Sequence, residues 1–159
     1  MAKEIIRQSA SERVYLHQDF HGALSTGLCY LEEHFGADAV REYLRQFALT
    51  FYAPVTRSIK ERGLIALREE IERVHELEGG GIRITGPGEE GEDEMLLEVQ
   101  VCPAIRHMRK QEYSVAPLFY ETCRTVYAAI CQDTPFASDW LRHDEQRGQC
   151  AVRFYRKQP

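Results

Sequence analysis

Two histidines one helical turn apart, and a cysteine followed by proline, are the residues of this chain whose types and spacing best suit chemistry. The histidines are His17 and His21, in Leu16-His17-Gln18-Asp19-Phe20-His21. On a helix advancing roughly 100° per residue, with His17 at zero, Phe20, Leu24, Leu28, Leu31 and Phe35 all fall within about 60° of it. That spacing puts His17 at the centre of an apolar stripe and His21 about 40° away on the same face, with Asp19 at about 200° on the opposite one. Two imidazoles at i and i+4 that face the interior can bind one divalent metal such as zinc, or one can position the other for proton transfer. An ordinary core histidine bonded to a backbone carbonyl, with His21 at the rim, has the same pattern. The glutamate of an HExxH motif is replaced here, and no third metal ligand is evident.

Cys102 ends an alternating apolar run and precedes Pro103, a residue favoured at the first helical position. It is therefore expected to cap a helix over Pro103 to Lys110. There its sulfur would face unpaired backbone donors and the positive end of the helix dipole, which lowers a thiol pKa and makes a nucleophile. The plain alternative is a small capping residue without chemistry. His107 lies roughly 140° from the residue-102 direction, so it is a poor base for Cys102, and a histidine of the first helix suits better. Cys123 shares a face with Phe119, Val126 and Ile130 and reads as a core thiol; Cys150 alternates inward with Val152 and Phe154. His34, His75 and His143 fall near helix or hairpin ends, where exposed polar duty is usual. Tyr43, Phe47, Phe51 and Tyr52 form an aromatic cluster that suits core packing, an apolar ligand cavity or a dimer surface.

The elements that must position these residues are legible from breakers and periods. Ser9 or Ser11 can cap a first helix that runs to about His34, with Gly36 as its stop and Asp38 as the next cap. A second helix follows from Ala39, and Pro54 should kink it or end it early. Gly63 and Gly79-Gly80-Gly81 bracket a third over Leu64 to Leu77. Then the period changes to two: Gly81 to Thr85 and Met95 to Val101 read as a hairpin. Its tip, Gly86 to Glu94, carries five acids in six residues and is expected to be solvated and mobile. After the Pro103 helix come a longer helix over Ala116 to Cys131 and a closing hairpin, Trp140 to His143 with Gln149 to Arg156. The order αααββααββ predicts a single α+β domain over 1–159, helices packed on an antiparallel sheet of about four strands.

Composition narrows the function classes. The chain has 159 residues, is 43% hydrophobic, and carries 20 basic against 25 acidic side chains for a net charge of −5, so the cationic surface needed for nucleic acid is missing. Uncharged runs such as residues 46–56 are far short of the ~20 a spanning helix needs. The first residues mix both charge signs without an apolar signal core, so a cytoplasmic location is expected. Five widely spaced cysteines without a CxxC pair read as reduced thiols. No phosphate-cradling loop is present, since Gly79-Gly80-Gly81 precedes a strand.

The strand Leu96-Leu97-Glu98-Val99-Gln100-Val101-Cys102-Pro103, a helix bearing Cys123 and the terminal Gly148-Gln149-Cys150-Ala151-Val152-Arg153-Phe154 resemble the L-2-amino-thiazoline-4-carboxylic acid hydrolase-like family. The likeness spans the second helix to the end. It implies hydrolytic opening of a small cyclic C=N or amide compound, with Cys102 and Cys123 as pocket residues. A looser architectural likeness to vinyl-reductase-type small-molecule-binding domains implies a ligand pocket and no reaction. The expected function is thus a small-molecule hydrolase using Cys102 as nucleophile or His17 or His21 to activate water. The competing expectations are a ligand- or metal-sensing domain with the same residues, and a homo-oligomer that pairs through the aromatic second helix.

Overall fold

The computed structural model describes residues 16–89 and 91–158, with the side chains of residues 16 and 17 outside that description, so the expected cap at Ser9 or Ser11 is not covered. The described elements are α1 (Leu16–Phe35), α2 (Ala37–Phe51), α3 (Ala53–Arg62), α4 (Leu64–Glu78), β1 (Gly81–Thr85), β2 (Glu94–Val101), α5 (Pro103–Lys110), α6 (Glu121–Gln132), β3 (Phe136–Asp144) and β4 (Gln149–Arg156). The architecture is α+β, a helical first half followed by a four-stranded antiparallel sheet of order β1-β2-β4-β3. The expected second helix comes in two pieces. Pro54 has no amide proton to continue α2, so the chain pivots at Tyr52 and Pro54 enters the first turn of α3. Gly79 ends α4 in the left-handed region (φ 71°), and that turn delivers the chain to β1.

Strand register sorts the sheet into two faces. Met95, Leu97 and Val99 of β2 lie opposite Phe154, Val152 and Cys150 of β4, and all six are buried beneath the helices. The other face is polar: Arg153 reaches Glu94 at 2.8 Å, Arg142 reaches Glu98 at 3.5 Å, and Tyr155 donates to Asp139 at 3.2 Å. An irregularity between Trp140 and Arg142 inserts Leu141 without a partner. One extra residue reverses the alternation beyond it, so His143 falls opposite Cys150 on the helix-covered face. There it is half-buried, with its ring 4.9 Å from Tyr120 and 5.9 Å from Trp140, which corrects the expectation of an exposed hairpin-end histidine.

Among the helices, α6 packs on β3, α4 on β1 and β2, α2 on α6, and α1 on α2 and α5. The α2–α6 contact holds a buried carboxylate, Glu121, only 1% exposed, which accepts from Arg41 Nε at 3.0 Å and Thr125 Oγ1 at 2.6 Å. Both partners are required there, because a lone carboxylate at that depth would be strongly destabilising. Regular helix starts at Glu121 rather than Ala116, and residues 117–120 form turns ahead of it. Ser25, fully buried on α1, holds that approach by donating to the Ser114 carbonyl and accepting from the Ala116 amide, each at 2.8 Å. At the other end of α6, Lys157 Nζ donates to the carbonyls of Cys131, Gln132 and Thr134.

The stripe on α1 is narrower than its periodicity suggests. Leu28 is fully buried, yet Phe20 and Phe35 are 48% and 66% exposed. No described helix is long and apolar enough to cross a membrane.

The acidic tip is more anchored than expected. Pro87 is buried and its carbonyl accepts from Arg68 at 2.8 Å, Asp93 pairs with Arg156 at 2.8 Å, and Glu92 accepts from the Gly88 amide at 2.6 Å. The dispensable part is therefore shorter than the acid run. Replacing residues 88–92 with a Gly-Asn turn while keeping Pro87 and Asp93 should change stability by less than ~0.5 kcal/mol, as for surface positions generally. Losing Pro87 and Asp93 as well should lower the melting temperature clearly, and thermal melts of both deletions check the contrast.

Candidate functional site

Cys102 links β2 to α5 at the capping position, in extended backbone (φ −73°, ψ 116°), with Pro103 in the first turn. No side-chain capping hydrogen bond forms there. Burial pushes the thiol above its ordinary value of 9.0, and the Glu78 carboxylate adds to the rise; the Ala104 and Ile105 amides pull the other way and lose. The expectation of a ready thiolate is thereby corrected. The dipole argument weighs only the local turn, whereas desolvation weighs everything packed around the sulfur. His107 is no base for it either, since its Nε2 lies 3.2 Å from Asp19 Oδ1.

His21 is half-buried on α1 and its Nε2 lies 2.9 Å from Glu78 Oε2, at the last residue of α4. Gln18 adds a bond from its side-chain amide to the Glu78 carbonyl at 3.2 Å. In a neutral His21 that donates from Nε2 to the Glu78 carboxylate, Nδ1 is the basic nitrogen. The side chain of His17 lies outside the described residues, so the His17/His21 pairing has one described member. Among the described residues no three His, Cys, Asp or Glu side chains are grouped to hold a metal ion.

Cys123 and Tyr127 stand one turn apart on α6 at the centre of the molecule. Burial raises both groups well above their ordinary values, and Cys102 and Cys150 lie close enough to add to the rise in each. Tyr127 also feels Tyr52, and Glu78 acts on both Tyr52 and Cys102. One region therefore gathers Cys102, Cys123, Cys150, Tyr52 and Tyr127, with the His21–Glu78 pair beside it. Tyr127 keeps some accessible surface despite its depth, and no described residue hydrogen-bonds its hydroxyl. That hydroxyl is not fully enclosed, since no enclosed side-chain oxygen among the described residues lacks a partner. Tyr52 meets the same conditions at the α2–α3 corner.

No protein-family model matches the chain, and no curated protein does.

The site thus rests on its own geometry. It combines a cluster of phenols and neutral thiols, an oriented histidine, and the amides that open α5. A shallow groove of about 420 Å³ lies elsewhere, between α2 and α6. Its Arg41, Arg45 and Arg124 are already matched to Asp38, Glu42 and Glu121, so it is an ion-pair network rather than an anion site. The aromatic cluster divides in two: Tyr43 and Phe51 are exposed, while Phe47 and Tyr52 turn inward, their rings 6.0 Å apart. Glu78 was invisible from sequence, because it meets His21 from 57 residues away. Tyr127 had a weak signal, the i, i+4 spacing from Cys123.

All five cysteines are free and all have raised pKa values, which predicts slow alkylation at neutral pH. Folded protein at pH 7 should react with iodoacetamide at least ~10-fold more slowly than denatured protein, since each pKa unit removes a tenfold of thiolate. Mass mapping of the label checks this. Rapid labelling confined to Cys102 would restore the thiolate.

Proposed function

We propose that the protein is a small-molecule hydrolase that opens a cyclic C=N or amide compound, using water activated by His21. The observation that carries this reading is the His21–Glu78 pair at 2.9 Å beside the thiol and phenol cluster, in which a neutral imidazole offers Nδ1 as base. In the reaction His21 Nδ1 takes a proton from water as its oxygen bonds to the sp² carbon. Glu78 steadies the resulting imidazolium. The amides of Ala104 and Ile105, which open α5 beside the Cys102 sulfur, supply the donors for the charge that develops on the substrate. Collapse breaks the ring C–N bond, and the proton held on Nδ1 passes to the departing nitrogen. Cys102 and Cys123 line the pocket as neutral thiols in this scheme. The family resemblance supports the substrate class, and five free cysteines support a reducing, cytoplasmic location.

A second reading, a non-catalytic small-molecule sensor, is favoured by the raised thiols, which supply no resting nucleophile. A panel of five- and six-membered cyclic amides and imines, including 2-amino-thiazoline-4-carboxylate, separates the two readings. Ring opening followed by NMR, lost in His21→Ala, supports the hydrolase; binding of several panel members with no opening of any leaves the sensor.

A further inference from the structure

We propose that the protein forms a two-fold dimer in which the outer edge of β3 pairs antiparallel with β3 of a second copy of this chain, joining the two sheets into one. β3 ends the strand order β1-β2-β4-β3, so one of its edges has no strand partner among the described elements. It is nine residues long against five for β1 at the other edge, and Leu141 in its second half is 55% exposed. An open edge of that length is set to pair, since a row of its backbone N–H and C=O groups has no ladder to join. The irregularity at Leu141 decides which strand fits it best. Before it, Ser138 and Trp140 lie on the helix-covered face and Ala137 and Asp139 on the polar one; beyond it, His143 takes the covered face and Arg142 and Asp144 the polar one. Side chains directly opposite each other in a sheet share a face. A regular strand keeps both halves of β3 in face only by skipping one residue, as β4 does, which leaves the exposed Leu141 unpaired again. A second copy of β3 running the other way carries the same extra residue and skips none.

Charge complementarity sets the register. With the two-fold axis between Trp140 and Leu141, Ser138 faces the second copy's His143 on the covered side and Asp139 faces the second copy's Arg142 on the polar side, each twice by symmetry. Signs then alternate along the joined sheet, from Arg153 to Asp139 and on to the second copy's Arg142 and Glu98. Both new partners keep capacity for the contact. Asp139 accepts from the Tyr155 hydroxyl through Oδ1 at 3.2 Å, and Arg142, 66% exposed, reaches Glu98 at 3.5 Å. Moving the axis one residue toward Asp144 sets Asp139 against the second copy's Asp144, and moving it one residue back leaves Arg142 opposite Ala137, so both neighbouring registers lose the ion pairs. Two short edges bury less than a standard interface, which makes the dimer a weak one, with a dissociation constant on the order of 10–100 µM.

Sedimentation velocity of the full chain between about 5 µM and about 1 mM tests this, and wild type should pass from monomer to dimer across that range. Asp139→Arg and Arg142→Asp each set like charges opposite one another at both contacts, so each variant alone should dimerise at least about tenfold more weakly. Mixed in equal amounts, the two should recover the dimer, because the copy with two arginines then faces the copy with two aspartates and both contacts attract. Hydrogen exchange adds a readout that needs no variant. Protection of the β3 amides should rise with protein concentration, while that of the β1 amides at the opposite edge stays constant. If either variant fails to fold, this exchange comparison on wild type decides. A wild type that stays monomeric throughout, a mixture no better than its components, β3 protection independent of concentration, or a dimer that both reversals leave intact would each overturn the inference. The last of these results would move the contact elsewhere, as to the exposed Tyr43 and Phe51 of α2.

Discussion

His21→Ala is expected to lower kcat/KM for ring opening by about 10²- to 10⁴-fold, the range that a positioned general base supplies. The loss should fall mainly on kcat, because the imidazole acts on water in the transition state and does little to hold the ground-state ligand. Glu78→Gln keeps the geometry but removes the charge that steadies imidazolium, so its loss should be smaller and in the same direction. Cys102→Ser should cost less than tenfold if water is the nucleophile. A Cys102→Ser variant as impaired as His21→Ala would instead restore covalent catalysis, with His21 serving to deprotonate the thiol. Steady-state kinetics on any substrate from the cyclic amide and imine panel decides between them.

Stability should collapse on the alkaline side. Burial lifts the Cys131 and Cys150 thiols from 9.0 to about 12, and lifts Cys102, Cys123 and both Tyr52 and Tyr127 in the same direction. A group that stays protonated in the fold but ionises in the unfolded chain binds more protons when folded, so stability falls as pH rises. The contribution is complete below pH 9, begins to fade there, and is gone once pH passes about 12. Three units on one thiol correspond to roughly 4 kcal/mol at most. Two such thiols alone can therefore offset much of a typical domain's stability. Urea titrations from pH 8 to 11 should show the midpoint falling throughout, and Cys150→Ala should flatten the profile. A midpoint constant across that range would count against the buried-thiol account.

Local pattern was enough wherever a residue's neighbours in sequence are also its neighbours in space. The alternation of Met95, Leu97 and Val99 marked β2, the Gly63 and Gly79 breaks bracketed α4, and Cys102-Pro103 opened α5. Pro54 marked a break, and whether it meant a kink or an end depended on packing that a single helix does not encode. The misses share a cause. The irregularity at Leu141 turns His143 inward, and nothing in Trp140-Leu141-Arg142-His143 distinguishes that strand from a regular one. The exposure of Phe20 and Phe35 depends on what packs against α1, which its own periodicity does not encode. In the candidate site, Cys102, Cys123 and His21 stood out by residue type and spacing. Their partners Glu78 and Tyr127 did not, because long-range packing brings them together. The Cys102 pKa went the other way for the same reason, since a helix dipole can be read from eight residues and depth cannot.

The sheet order β1-β2-β4-β3 places the strand that follows all others in the chain between two that precede it. During synthesis the β1–β2 hairpin and four helices are complete while one edge of β2 waits for β4, an interval on the order of seconds at ordinary translation rates. That waiting edge carries Met95, Leu97 and Val99, an apolar ladder able to pair with another chain. Glu94 and Glu98 on the same strand put repelling charges beside each copy, the gatekeeper placement that discourages such pairing. Their salt bridges to Arg153 and Arg142 form only after β4 and β3 have docked. The same carboxylates thus keep unfinished chains apart and later tie the finished sheet together.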